Sequence, residues 1–220
     1  MNTNAKVALI FTAAVIAVVI GVIVVAILQR PAPAVPETNP STMLPSAIRE
    51  DTHILNEGSS DVVLVEFLDF ECEACGAFYP YVESLREEFG NEVTFAFRYF
   101  PLPSHGNSVN AAVAVEAASL QGFLEPMYAR LFETQSEWGE KGVESQAPLF
   151  RQFAEELGLD LARYDADVAD EAVLERVQSD FEDGMALGVD STPTFFLNDR
   201  KVTLSSFEDL RAAIEAELAE

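Results

Sequence analysis

The sequence predicts an α/β fold with an inserted helical subdomain, preceded by an N-terminal transmembrane helix. Three observations carry this. An apolar run from Val62 to Leu68, interrupted only by Glu66, has the make-up of a strand buried on both faces of a sheet. Two cysteines at C-x-x-C spacing, Cys72 and Cys75, follow it, and Phe78, Val82, Leu85 and Phe89 then fall on one face of a helix. The third is Val7 to Leu28, a stretch of 22 residues without a charge.

From the N-terminus, residues 1–6 read as a short cytoplasmic end. At about 1.5 Å per residue, residues 7–28 span about 33 Å, slightly more than the roughly 30 Å core of a bilayer. A cleaved signal peptide is the competing reading, since Lys6 supplies a basic start and Ala32-Pro33-Ala34 has A-x-A spacing. The run is longer than a signal-peptide core, and prolines crowd the cleavage position, so the expectation is an uncleaved anchor. Residues 29–50 carry Pro31, Pro33, Pro36, Pro40 and Pro45. That density favours extended polyproline conformation, a tether reaching up to about 60 Å.

The domain is expected over 51–220. His53-Ile54-Leu55 reads as a short edge strand, with His53 an ordinary surface histidine. After the cysteine helix, Glu92 to Phe100 alternates as a second strand, with Val93, Phe95, Phe97 and Tyr99 on one face. Strand, helix, strand is a right-handed βαβ unit, so the two strands run parallel. Residues 107–187 hold only helical signals, with Gly122, Gly158 and Gly188 as stops and Leu174, Val177, Phe181 and Met185 as the inner face of the last helix. Thr194 to Leu197, an Asn198-Asp199 turn and Lys201 to Leu204 read as a hairpin. Ser205 with Glu208 reads as a capping box opening a final helix to about Leu218.

Composition bounds the function. The chain is 49% apolar, enough for a core, and its net charge is −24. All but three of the 13 Lys/Arg and all but one of the 37 Asp/Glu lie from Glu50 onward, so the domain alone carries −26. Such a surface repels phosphate backbones and anionic headgroups, which argues against nucleic acid and peripheral membrane docking. Two cysteines are too few for a disulfide scaffold, and a zinc site needs four ligands where only His53 and His105 remain to join them. They suffice for one redox pair with no further cofactor.

Cys72 sits where a helix begins, so free N–H groups and the helix dipole favour its thiolate. It reads as the exposed nucleophile that forms the mixed disulfide, and Cys75, one turn on and facing the sheet, as the resolving thiol. Glu66, an acid inside an apolar strand, should have its pKa raised by burial and serve Cys75 as proton acceptor. Asp69 reads as a turn-capping residue. Between the cysteines stand Glu73 and Ala74. A carboxylate at position 73 opposes the thiolate about as strongly as the helix N-terminus favours it, so Glu73 is expected to modulate the redox potential.

The segment E-F-L-D-F-E-C-E-A-C-G-A-F-Y-P resembles the active-site strand and helix of thioredoxin-fold disulfide oxidoreductases, above all their DsbA-like branch. Pro101-Leu102-Pro103-x-His105, Gln121-Gly122-Phe123, Leu131-Phe132 and Trp138 resemble that branch's helical insertion. Gly188-Val189-x-x-Thr192-Pro193-Thr194-Phe195-Phe196 resembles its cis-proline loop. The resemblance covers roughly residues 50 to 218. It implies a cis Pro193 packed against the cysteines, with the Thr192 backbone free to pair with a substrate strand, and a buried acid at Glu66. It also implies reoxidation by a quinone-linked membrane partner. His105 matches a family position and is expected to be structural. The function expected is extracytoplasmic disulfide formation in reduced exported proteins, from a single-pass anchor with the catalytic domain outside. A reductase or isomerase on the same fold and a non-enzymatic binding module are the alternatives.

Overall fold

The computed structural model describes residues 46–142 and 144–219. The anchor expected over Val7 to Leu28 and most of the proline-rich tether lie outside them, and among the described residues no helix is long and apolar enough to cross a membrane.

Five strands, β1 (His53–Asn56), β2 (Val63–Leu68), β3 (Thr94–Tyr99), β4 (Thr194–Leu197) and β5 (Arg200–Lys201), form one sheet in the order β1-β3-β2-β4-β5. β2 lies parallel to β3 and antiparallel to β4. It is the middle strand, covered on both faces, which is the physical reason for its unbroken apolar run. Helix α1 (Glu73–Phe89) makes the crossover between β2 and β3.

The inserted helices are α2 (Ser108–Ser119), α3 (Leu124–Glu133), α4 (Gln135–Trp138), α5 (Ala147–Leu157), α6 (Leu161–Asp167) and α7 (Glu171–Ala186); α8 (Glu208–Leu218) closes the chain. α4 and α6 are too short for a periodic pattern to reveal. Left-handed glycines, Gly158 (φ 86) and Gly188 (φ 79), follow α5 and α7 as expected.

One sheet face carries Leu64, Glu66, Leu68, Phe95, Phe97, Tyr99 and Phe195 and packs on α1 and the insertion. The other carries Val65, Phe67, Ala96, Phe100 and Phe196 and packs on α7. Arg98 and Asp180, both fully buried, meet on that second face at 2.6 Å.

Several expectations are corrected. Residues 46–50, assigned to the tether, belong to the domain: Ala47 is fully buried and Arg49 binds Asp183 at 2.6 Å. α8 begins at Glu208 with Phe207 as its N-cap and no capping box: it is Asp209, in the first turn, whose Oδ2 accepts the Ser205 and Ser206 N–H groups at 2.6 and 2.8 Å. The hairpin's second strand is only Arg200–Lys201, because Val202 and Leu204 turn onto the core. On α7, Met185 is exposed and the buried positions are Val173, Val177, Asp180 and Gly184. The face is rotated because Arg98 draws Asp180 inward and because a Cβ on Gly184 would stand 2.6 Å from the Phe100 ring.

Candidate active site

Cys72 is the N-cap of α1, in extended conformation (φ −69, ψ 120), with no side chain capping the helix. The first-turn N–H groups are therefore open to the thiolate. Both cysteines are free thiols. Thr192-Pro193 is a cis peptide bond, as expected, and the Cys72 Sγ lies 3.4 Å from the Thr192 carbonyl oxygen. Cys72 is only 7% exposed, more covered than the sequence led us to expect, because this loop lies over it. Cys75 is fully buried and its sulfur accepts the Asp69 N–H at 3.5 Å.

The two thiols are driven apart in acidity. The Cys75 thiol, as donor to Cys72, is the largest influence pulling the Cys72 pKa down to about 5; burial opposes it, while Thr192 and the backbone N–H groups of Cys75 and Ala74 assist. Burial, then Cys72 and Glu66, push Cys75 well above an ordinary thiol. The balance expected between Glu73 and the helix N-terminus is thus overridden, because the second thiol is the dominant donor. Glu73 lies beside Glu140, whose carboxyl is raised first by burial and then by Glu73.

Glu66 is 5% exposed in the middle strand, between Phe97 and Phe195. Burial first, then Glu83 and Cys72, push its carboxyl up to about 8. The structure thus brings together Cys72, Cys75, Glu66, Thr192 and Pro193, with Glu73 at the helix start.

It also gives partners that the sequence did not announce. Asp69 is more than a turn cap: its Oδ1 accepts the Glu71 N–H at 2.8 Å, and its Oδ2 accepts the Leu102 N–H at 2.8 Å and pairs with His105 Nδ1 at 2.7 Å. Burial pushes Asp69 up to about 6, opposed by those hydrogen bonds. For His105, burial acts downward, but the Asp69 hydrogen bond and charge prevail and its pKa is raised. Buried Glu71 accepts the N–H groups of Asn107 and Glu140, pinning the insertion to the active-site turn. Gln135 Nε2 donates to the Phe70 and Cys72 carbonyls, both at 2.8 Å, and its side chain occupies the space a Cβ on Gly76 would need. No local pattern announces a glutamine 63 residues from its partner. His53 is also corrected: it is partly buried, with its Nε2 2.7 Å from Glu116 and 3.0 Å from the Tyr99 hydroxyl.

A strand leading to a paired thiolate and buried thiol, with a buried acid beneath and a cis-proline loop above, defines the class: a thioredoxin-fold domain with a dithiol site. The family model described as thioredoxin (Thioredoxin_4) matches residues 49–216, and the chain belongs to that family. Among solved structures it is similar to a thioredoxin-like oxidoreductase from Silicibacter pomeroyi DSS-3, with 25% identity, TM-score 0.65, and 78% of this chain and 95% of that chain covered. It shares its fold with BdbD from Bacillus subtilis, with 22% identity, TM-score 0.67, and 77% and 94% covered. Among curated proteins it is 34% identical over 171 residues to the Na(+)/H(+) antiporter NhaA 1 of Mycobacterium sp. (strain KMS), covering 76% of this chain and 26% of that protein. It is 35% identical over 150 residues to the Na(+)/H(+) antiporter NhaA 3 of Salinispora tropica, covering 68% and 22%. The chain thus spans about a quarter of the length of these relatives.

Proposed function

We propose that this protein is a membrane-anchored, extracytoplasmic thiol-disulfide oxidoreductase that donates its Cys72–Cys75 disulfide to reduced exported proteins. The observation that carries the reading is the placing of Cys72 at the start of α1, one turn before the buried Cys75 and under the cis Thr192-Pro193 loop, an arrangement that makes Cys72 acidic. A thiolate held near pKa 5 beside a buried thiol stabilises the reduced dithiol, and a pair whose reduced form is stabilised is an oxidant.

In the forward step a substrate thiolate attacks Cys72, the Cys75 sulfur leaves, and a mixed disulfide forms. A second substrate thiol then displaces Cys72, leaving the substrate oxidised and the enzyme reduced. Glu66 supplies the proton to departing Cys75 and takes it back when Cys75 attacks in reoxidation. Thr192 and Pro193 position the substrate strand over Cys72. The redox disulfide is the only cofactor required, and electrons leave through a quinone-linked membrane reoxidase.

An oxidising compartment suits this chemistry, and the charge-free run from Val7 to Leu28 supports a single-pass anchor with the catalytic domain outside. The domain's kinship with part of proteins named as Na(+)/H(+) antiporters supports a membrane setting.

Two measurements test the proposal. Cys75→Ala should accumulate mixed disulfides through Cys72 on non-reducing diagonal gels, and Cys72→Ala should accumulate none. The potential should lie nearer the about −120 mV of a DsbA-type oxidant than the about −270 mV of thioredoxin; a value at the thioredoxin end would make the protein a reductase.

A further inference from the structure

We propose that the backbone N–H of Asp69 is a catalytic hydrogen-bond donor to the Cys75 sulfur, and that His105 is the positioning residue that holds it in place through the Asp69 carboxylate. The inference rests on the reading of the cysteine pair given above.

The physical problem is charge. Cys75 becomes negative when it leaves Cys72 and again when it attacks, yet it is fully buried, and burial, Cys72 and Glu66 all act against its ionisation. A thiolate out of water needs a donor from the protein. In the mixed disulfide Cys72 has no hydrogen to give. Among the described residues one N–H reaches the Cys75 sulfur, that of Asp69, at 3.5 Å. Its effect is to favour the Cys75 thiolate, against burial and the neighbouring charges.

The donor is aimed by the way Asp69 is held. The residue follows β2 directly, and its carbonyl accepts the Cys72 N–H at 3.1 Å, so its backbone touches both cysteines. Its side chain is fully enclosed, and its two oxygens are shared out. Oδ1 accepts the Glu71 N–H and Oδ2 the Leu102 N–H, both at 2.8 Å. These bonds join the end of β2 to the loop that follows β3.

Both oxygens must be bare to accept them, so the carboxyl must be ionised. A carboxylate out of water needs a positive or donating neighbour, or it gains a proton. His105 is that neighbour, with Nδ1 2.7 Å from Oδ2. The ring is itself fixed, because the His105 N–H donates to the Leu102 carbonyl at 3.0 Å and the His105 carbonyl accepts the Ser108 hydroxyl at 3.3 Å. Glu140, 3.7 Å from Nε2, and buried Glu71 are the other carboxylates near it. A neutral ring with its hydrogen on Nδ1 still donates, so the hold survives loss of the ring's charge. Without His105 the Asp69 carboxyl takes up a proton. The oxygen that carries it no longer accepts from the backbone, and the turn that aims the N–H at Cys75 loosens.

The step balances with a thiol as the sole reactant. A glutathione thiolate attacks the Cys72 sulfur, the Cys72–Cys75 bond breaks, and Cys75 leaves as a thiolate under the Asp69 N–H before Glu66 protonates it. The reverse step closes the disulfide and releases glutathione as thiolate. Because the donor acts on a transient thiolate, it speeds opening and closing alike and leaves their ratio alone. A hydrogen bond to a charged group lowers a thiol pKa by roughly one to two units, and about half of that is felt in the exchange transition state, a factor of about three to ten.

The test uses full-length protein and glutathione at about pH 8, where Cys72, with its pKa of about 5, is ionised. Acid quench and mass follow three rates: reduced Cys72 with oxidised glutathione, attack of glutathione on the oxidised protein, and closure of the Cys72–glutathione adduct. His105→Leu should slow the last two by the same factor of about three to ten and change the first less than about twofold. His105→Asn, whose amide stands near the place of Nδ1, should recover most of the loss. Asp69→Asn copies the protonated carboxyl and should act as His105→Leu does, and the two together should add nothing. It also carries the test if His105→Leu does not fold.

Equal loss in all three rates, a changed ratio of opening to closing, or no loss at all overturns the proposal and leaves His105 a fastening of the loop. Failure of the wild type to form any Cys72 adduct overturns the oxidoreductase reading instead, and with it this one.

Discussion

Single residues set the chemistry by what surrounds their ionisable atoms. Glu66 is an acid whose folded pKa is raised, from 4.5 to about 8, so the folded state holds its proton more tightly than the unfolded chain. Its contribution to stability is therefore neutral below about pH 4.5, falls as pH rises through the interval, and reaches its full cost above about pH 8. At pH 7 that cost is roughly 2–4 kcal/mol. Glu66→Gln should raise denaturant stability at pH 7 by a like amount and flatten its decline between pH 5 and 8; a variant that keeps the wild-type slope would show that Glu66 is not the group responsible. Glu73 is expected to make a smaller contribution at the other thiol, beneath that of Cys75. For a carboxylate at ~6 Å and an effective dielectric near 40, Coulomb's law sets the upper bound on the cost to a thiolate at about 1.4 kcal/mol. Glu73→Gln should raise the redox potential by up to about 30 mV at low ionic strength, measured against a glutathione buffer. A potential that holds still or falls would remove Glu73 from the tuning groups.

At the scale of elements, the active site is the junction between α1 and the helical insertion. Gln135 in α4 donates two 2.8 Å hydrogen bonds to backbone carbonyls of the cysteine turn, and Glu71 ties that turn to Asn107 and Glu140. The four-residue α4 has little stability of its own, and Trp138, fully buried against Phe150 at 4.8 Å, holds it in place. Gln135→Ala leaves the Phe70 carbonyl without a donor, at about 1–3 kcal/mol, while the Cys72 carbonyl keeps the Gly76 N–H at 3.0 Å. We expect a fall in thermal stability of that order and a raised Cys72 pKa, read from thiolate absorbance, as the helix start loosens. An unchanged thiol titration would confine Gln135 to a stabilising part.

Over the whole molecule, the second face of the sheet is fastened by charge. Arg98 pairs with Asp180 at 2.6 Å and Asp183 at 2.7 Å, Arg49 joins from the N-terminal segment, and Arg176 reaches Asp180 at 2.6 Å. Three arginines against Asp180, Asp183 and Asp51 leave the cluster neutral. Removing one buried partner strands the others, so Arg98→Met should cost about 3–5 kcal/mol, whereas Arg98→Met with Asp180→Leu should recover most of it. Equal losses in the single and double variants, compared by chemical denaturation, would rule out stranded charge as the cause.

The sequence by itself determined the thiol chemistry and the order of elements. C-x-x-C between an apolar strand and an amphipathic helix is a local pattern, as are the alternation of Val93 to Tyr99 and the glycines that end α5 and α7. Cis Pro193 and buried Glu66 were legible through resemblance and through an acid in an apolar run. Only the tertiary structure decided which polar side chains meet. His53 with Glu116, Asp69 with His105, Gln135 with Cys72 and Arg98 with Asp180 are pairs far apart in the chain. Periodicity reports which face of an element is apolar, not which distant partner completes a buried hydrogen bond. For the same reason Met185 was misread on α7: Val177 and Phe181 pack inward as expected, but the face turns toward Asp180, drawn in by an arginine 82 residues away.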